Sequence, residues 1–114
     1  MKTLTLSLKK QWFDKIKAGV KKEEYREIKP YYTSRLTILD SDDYDLILSG
    51  EISVTFQYFD RLVFTLGYTK ADDTERRITF KNPKIRIGTG KPEWGAEPGK
   101  LYFVITWDKE VTNG

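Results

Sequence analysis

The run "LYFVITW", Leu101 to Trp107, is apolar on both faces, with Leu101, Phe103, Ile105 and Trp107 on one side and Tyr102 and Val104 on the other. Such a strand cannot sit at a wet edge; it belongs in the middle of a sheet that is covered above and below. The chain must therefore supply neighbouring strands, and several stretches repeat at period two. Leu4, Leu6 and Leu8 alternate with Thr3, Thr5 and Ser7; Val54, Phe56 and Tyr58 follow, then Leu62, Phe64 and Leu66, then Ile78 and Phe80, then Ile85 and Ile87. Short strands separated by turn residues predict a small barrel or a folded-over sheet. Between Lys10 and Ala18, Trp12, Phe13 and Ile16 fall at helical spacing, and Gly19 stands where a left-handed C-cap is favoured. The acid-rich "LDSDDYDLILSG" reads as a surface loop with room for a helical turn.

With 114 residues the chain fits one domain, 1–114, holding a modest core. Its 39% hydrophobic and 14% aromatic content is too high for a disordered polymer. Cysteine and histidine are both absent, which excludes disulfides, thiol nucleophiles, imidazole bases and the usual zinc ligand sets. No cofactor or metal is expected, and catalysis would fall to Lys, Glu, Asp, Thr, Ser or Tyr. The opening "MKTLTLSLKK" has no continuous apolar core, so neither a secretory signal nor a membrane span is expected, and a cytoplasmic monomer is the default. Residues 1–35 carry 10 Lys and Arg against 4 Asp and Glu, residues 36–75 carry 2 against 9, and residues 76–114 carry 8 against 4. Two basic ends flanking an acidic middle suit a polyanionic partner or, equally, an unevenly charged solvated surface.

The stretch "GVKKEEYREIKP", Gly19 to Pro30, raises a different question. Read as a strand, it puts Val20, Lys22, Glu24, Arg26 and Ile28 on one face and Lys21, Glu23, Tyr25 and Glu27 on the other, with Pro30 limiting its continuation. Unpaired charges buried in a dry core cost several kcal/mol each, on the order of the whole stability margin. Either both faces are wet or one of them lines a cleft. Glu24 and Arg26, two apart, are close enough to pair, and such a pair holds a donor fork and an acceptor in fixed orientation. An edge strand whose charges merely block aggregation accounts for the same pattern.

The segment "GTGKPEWGAEPG" is a long loop without periodicity, and Trp94 within it either plugs the barrel end or stacks on a ligand. A phosphate-loop reading of "GTGK" fails, because it needs Gly at position 85 and Ser or Thr at position 92, where the sequence has Ile85 and Pro92. A dinucleotide fingerprint fails as well, since Glu93 stands where its third glycine is needed.

The run "WFDKIKAGVKKEEYREIKPYY" resembles the signature of ASCH domains, a group within the PUA-like superfamily whose recurring pattern is G-x-K-x-x-E-x-R after a short helix. Here the matching residues are Gly19, Lys21, Glu24 and Arg26. Residues 83–107 are similar to the C-terminal part of small prokaryotic and phage members. The resemblance implies an α+β fold: a PUA-like small β-barrel of five to six strands with one to three short flanking helices and a charged cleft beside the barrel. It also implies an RNA, nucleotide or modified-nucleoside ligand. Lys21 would contact a phosphate or carbonyl oxygen, Arg26 would donate a forked pair of hydrogen bonds, and Glu24 would accept from a base amino group. Tyr25, Tyr31, Tyr32 and Trp94 are the stacking candidates, each with core or rim packing as its competing role.

Some small ASCH proteins resemble amidohydrolases that deacetylate N4-acetylcytidine, using a Thr nucleophile, a Lys and a distant Glu. Lys21 falls on the lysine of that set, while Glu24 stands where the threonine would be. That leaves water activation by Glu24 as the catalytic alternative, with Glu93 and Glu97 available on the long loop. A third reading is a protein-interaction module whose charged strand is a solvated edge.

Overall fold

The computed structural model describes residues 1–67 and 73–111. In chain order they form strand β1 (Thr3–Leu8), helix α1 (Lys10–Lys17), strand β2 (Glu24–Glu27), helices α2 (Pro30–Leu36) and α3 (Tyr44–Ser49), then strands β3 (Arg61–Leu66), β4 (Arg77–Lys81), β5 (Lys84–Thr89) and β6 (Leu101–Thr106). This is an α+β chain whose six strands lie in two three-stranded sheets, ordered β1-β3-β4 and β2-β6-β5. Its residues group into two compact units that interleave along the sequence. The first is Met1–Lys22, Phe59–Lys84 and Thr106–Gly114; the second is Glu23–Tyr58 and Ile85–Ile105. Among the described residues no helix is long and apolar enough to cross a membrane.

In the first unit β3 is central, parallel to β1 and antiparallel to β4. The leucines of β1 are buried while its threonines and serine are exposed, as the alternation predicts. On β3 both faces are closed. Leu62, Val63, Phe64 and Thr65 are all buried, so the period-two reading of Leu62, Phe64 and Leu66 captured one face of a strand that has no wet side. Phe13 and Ile16 form the buried stripe of α1, which packs against β3. Phe64, Phe80 and Trp107 form an aromatic trio with centroids 5.0–6.0 Å apart.

The C-terminus of α1 closes as the glycine predicts. Gly19 has φ of 76°, a conformation that costs glycine little and other residues more. The amides of Val20 and Lys21 both return to the carbonyl of Lys15, at 2.9 and 3.1 Å. The chain is thereby folded back along its own helix, and the Lys21 ammonium sits 4.4 Å from the centroid of the Trp12 ring.

In the second unit β6 is central between β2 and β5, as its two apolar faces require. Tyr102, Phe103, Val104 and Ile105 are buried. Two expectations are corrected here. The charged strand is limited to Glu24–Glu27, because Val20 and Lys21 close the end of α1 and residues 22–23 lie outside any strand, and Pro30 does more than end it. Proline pre-sets φ for the first turn of a helix and has no amide to leave unsatisfied, and Pro30 opens α2. Val54, Phe56 and Tyr58, expected as a strand, lie outside any strand; only Phe56 makes a bridge, to Thr37. The acid-rich loop contains a short 3-10 turn, Ser41–Asp43, followed by α3.

Candidate ligand-binding site

Strand β2 pairs antiparallel with β6, so its two faces follow from register. Glu24 lies opposite Ile105 and Arg26 opposite Phe103, while Tyr25 lies opposite Val104. Residues two apart share a face. Glu24 and Arg26 therefore stand together beside two fully buried apolar residues, and Tyr25 turns the other way.

On the first face the Arg26 guanidinium donates to Glu24 Oε2 at 2.7 Å. The side chains retain only 15% and 8% exposure, which makes this a largely desolvated ion pair rather than a surface one. A second guanidinium nitrogen donates to the Tyr32 hydroxyl at 2.9 Å, and the guanidinium carbon lies 5.6 Å from the Tyr32 ring centroid. Tyr32 is delivered by the first turn of α2. The Tyr31 ring makes a T-shaped pair with it, centroids 4.9 Å apart, and Tyr31 is 61% exposed. Arg35, one turn further along α2, donates to the Tyr31 hydroxyl at 3.2 Å. Glu24, Arg26, Tyr32, Tyr31 and Arg35 thus form a continuous row within the second unit.

On the other face the Tyr25 ring packs against Ala96, Tyr102 and Val104. Its hydroxyl donates to Glu23 at 2.8 Å and accepts the Lys91 backbone amide at 3.0 Å. Glu23 in turn accepts from Arg86 at 2.8 Å. Burial pushes the phenol pKa up to about 12, the Lys91 amide pulls the other way, and the neighbouring Glu23 carboxylate adds to the rise. A Cβ on Gly90 would come within 2.6 Å of the Tyr25 ring, so this loop position needs a residue without a side chain. Tyr25 is the latch that fixes the Gly- and Pro-rich loop to β2. Within that loop Trp94 is half-buried in a 3-10 turn, with the Lys91 ammonium 4.5 Å over its ring. Glu97 has a largely exposed side chain 3.9 Å from Lys100, and Glu93 is exposed.

Lys21 belongs to the first unit, where it is 2% exposed and faces Trp12. Among the described residues no group of three His, Cys, Asp or Glu could hold a metal ion.

Each sequence-predicted residue has its place within its own unit. Glu24, Arg26, Tyr31 and Tyr32 stand together, Tyr25 serves the opposite face of the same strand, Trp94 lies in the loop and Lys21 beneath Trp12. The sequence reading missed Arg35, Trp12 as the partner of Lys21, and the Glu23–Arg86 link. Arg35 had a signal: it lies four residues after Tyr31, the spacing at which helical side chains meet, but using it required reading Pro30 as a helix start. Arg86 had none, since its partner is 63 residues away.

Compared with known proteins, the chain matches no family model, no curated protein and no solved structure. The chemistry of the row has to speak for itself. A guanidinium held by a carboxylate and a phenol is oriented as a donor fork, and the rings beside it offer flat apolar surface. An oxygen engaged by a guanidinium has a proton-accepting lone pair already in use, so the arrangement suits recognition better than general-base work.

Proposed function

We propose that this chain is an ASCH-type binding module, with the PUA-like barrel that the resemblance implies. It takes a nucleobase-bearing ligand, an RNA segment, nucleotide or modified nucleoside, through the face of β2 that carries Glu24 and Arg26. The supporting observation is the desolvated Glu24–Arg26 pair braced by Tyr32. Removing two charges from water costs several kcal/mol per ion, and an apolar pair of similar volume serves stability equally well or better. A strand that keeps such a pair gains orientation rather than stability. In this reading Arg26 donates to the acceptor edge of a base, Glu24 accepts from an amino group and Tyr32 lies along the ring plane.

The test is equilibrium binding of fluorescent nucleosides and short oligonucleotides to the wild type and to Arg26→Lys. Lysine keeps the charge but loses the fork, so at least tenfold weaker binding is expected, on the order of one lost bidentate contact. Unchanged affinity in Arg26→Lys would reject the assignment.

The amidohydrolase alternative draws on the near-complete burial of Lys21. Ultraviolet spectra of the protein mixed with N4-acetylcytidine test it: turnover abolished in Lys21→Ala supports it, and absence of turnover in the wild type removes it.

A further inference from the structure

The row does not stop at the residues assigned above. Tyr31 presents the most exposed ring of α2, it stands at 80° to the Tyr32 ring with centroids 4.9 Å apart, and its hydroxyl is held by Arg35 at 3.2 Å. An exposed aromatic immobilised at two points is a stacking platform whose ordering cost is already met, because a free tyrosine would lose rotamer freedom on binding. Arg35 brings a second guanidinium to that platform, and arginine suits phosphate through its planar donor fork. From Arg26 to Arg35 the contacts run Arg26–Tyr32 at 2.9 Å, Tyr32–Tyr31 at 4.9 Å between centroids and Tyr31–Arg35 at 3.2 Å. The sequence of groups is cation, ring, ring, cation. A single nucleoside would occupy one end of it and leave the other unused.

We propose that Tyr31 and Arg35 form a second subsite. The Tyr31 ring stacks on the base next to the one met by Glu24 and Arg26, and Arg35 pairs with the phosphodiester that joins them. The ligand is then a single strand of at least two nucleotides rather than a free nucleoside. This rests on the nucleobase reading above and extends it.

The acidic content of the same unit sets an upper limit on length. The Ser41–Asp43 turn packs against α2 and brings Asp42 and Asp43 to that helix. Counted from the sequence, the unit carries ten Asp and Glu against six Lys and Arg. A long polyanion laid along it would be repelled, so affinity should level off within a few nucleotides.

Calorimetric titration of the full chain with nucleosides, with the matching RNA and DNA dinucleoside monophosphates, and with a dinucleotide carrying an uncharged methylphosphonate linkage tests this. The dinucleotide should bind about tenfold or more tightly than the nucleoside, within the range that one stacked base contributes. Tyr31→Ala should erase that gain and Tyr31→Phe should keep most of it. Arg35→Gln should weaken the phosphodiester form several-fold and the methylphosphonate form much less, by the loss of the hydroxyl hold on Tyr31 alone. Tyr31 is exposed, so its variants should fold, and their melting curves verify this.

Equal affinity for nucleoside and dinucleotide, or a gain that survives in both Tyr31→Ala and Arg35→Gln, overturns the second subsite. If nucleosides bind through Arg26 and the dinucleotide adds nothing, only the second subsite falls. If no nucleoside or dinucleotide binds, the nucleobase reading falls with it.

Discussion

Strands β1 and β2 occupy equivalent places in their sheets, each flanking the central strand of three, and they are built for different work. β1 alternates leucine with small hydroxyl residues and hides every leucine. β2 reads Glu-Tyr-Arg-Glu and contains no aliphatic residue, yet it sits against a central strand that is nearly all buried. Where β1 contributes burial, β2 contributes oriented polar groups: an ion pair on one face and a doubly hydrogen-bonded phenol on the other. Net charge divides the same way. Counted from the sequence, the unit that holds β1 has fourteen Lys and Arg against seven Asp and Glu, and the unit that holds β2 has six against ten. The contrast that looked like basic ends and an acidic middle along the chain is a contrast between folded units. On the proposed reading, burial and recognition fall to different strands and can be broken separately.

The largest effect belongs to the burial side. Phe64 is fully buried in β3, in contact with Phe80 and Trp107, and Phe64→Ala should cost about 3–5 kcal/mol in urea unfolding. That is a large part of the margin of a small domain. A loss under about 1 kcal/mol would mean that this trio is not a stability centre.

Next comes Arg26→Ala, which strands the Glu24 carboxylate in a desolvated place. A loss of up to about 3 kcal/mol is expected, at the low end for a buried pair because Arg26 retains 15% exposure. Gly90→Ala should cost about 1–3 kcal/mol by forcing a methyl into the Tyr25 ring. Its effect should stay in the loop, with changes in amide exchange confined to the residues around Lys91.

The phenol itself gives a pH signature. An unfolded tyrosine ionises near pH 10, roughly, and Tyr25 in the folded chain only near 12. Between those values the folded state holds one more proton than the unfolded state, so stability falls as pH rises and levels off above the folded value. Difference absorbance of tyrosinate should show one residue titrating late, and Tyr25→Phe should remove that late step. The smallest effect is at Glu27, whose hydrogen bonds from Lys100 and Lys29 hold its carboxyl below the ordinary value. This contribution is present above the unfolded pKa and lost as pH falls through the folded one. Solvent screening keeps it below all the others, and Glu27→Gln should flatten only the acid limb of the stability curve.

Local patterns in the sequence were enough to read β1, α1, its glycine cap, the central place of β6 and the pairing of Glu24 with Arg26. Each depends on residues a few positions apart. The missed features depend on context. Val54, Phe56 and Tyr58 have strand spacing, but a strand also needs a continuous partner, and period alone does not supply one. Pro30 carried two meanings, strand stop and helix start, and only the second brings Tyr31, Tyr32 and Arg35 into line. Tyr25 stayed open between stacking and packing, because alternation says nothing about a loop 66 residues later returning to cover it.

The central claim is that the Glu24–Arg26 pair is kept for recognition and not for stability. Replacing both at once, Glu24→Leu with Arg26→Met, and measuring urea stability and nucleotide binding on the same sample tests it most directly. The account predicts a chain as stable as the wild type, or more so, that no longer binds. A double variant that binds as the wild type does, or one that is destabilised as severely as Arg26→Ala alone, would contradict it.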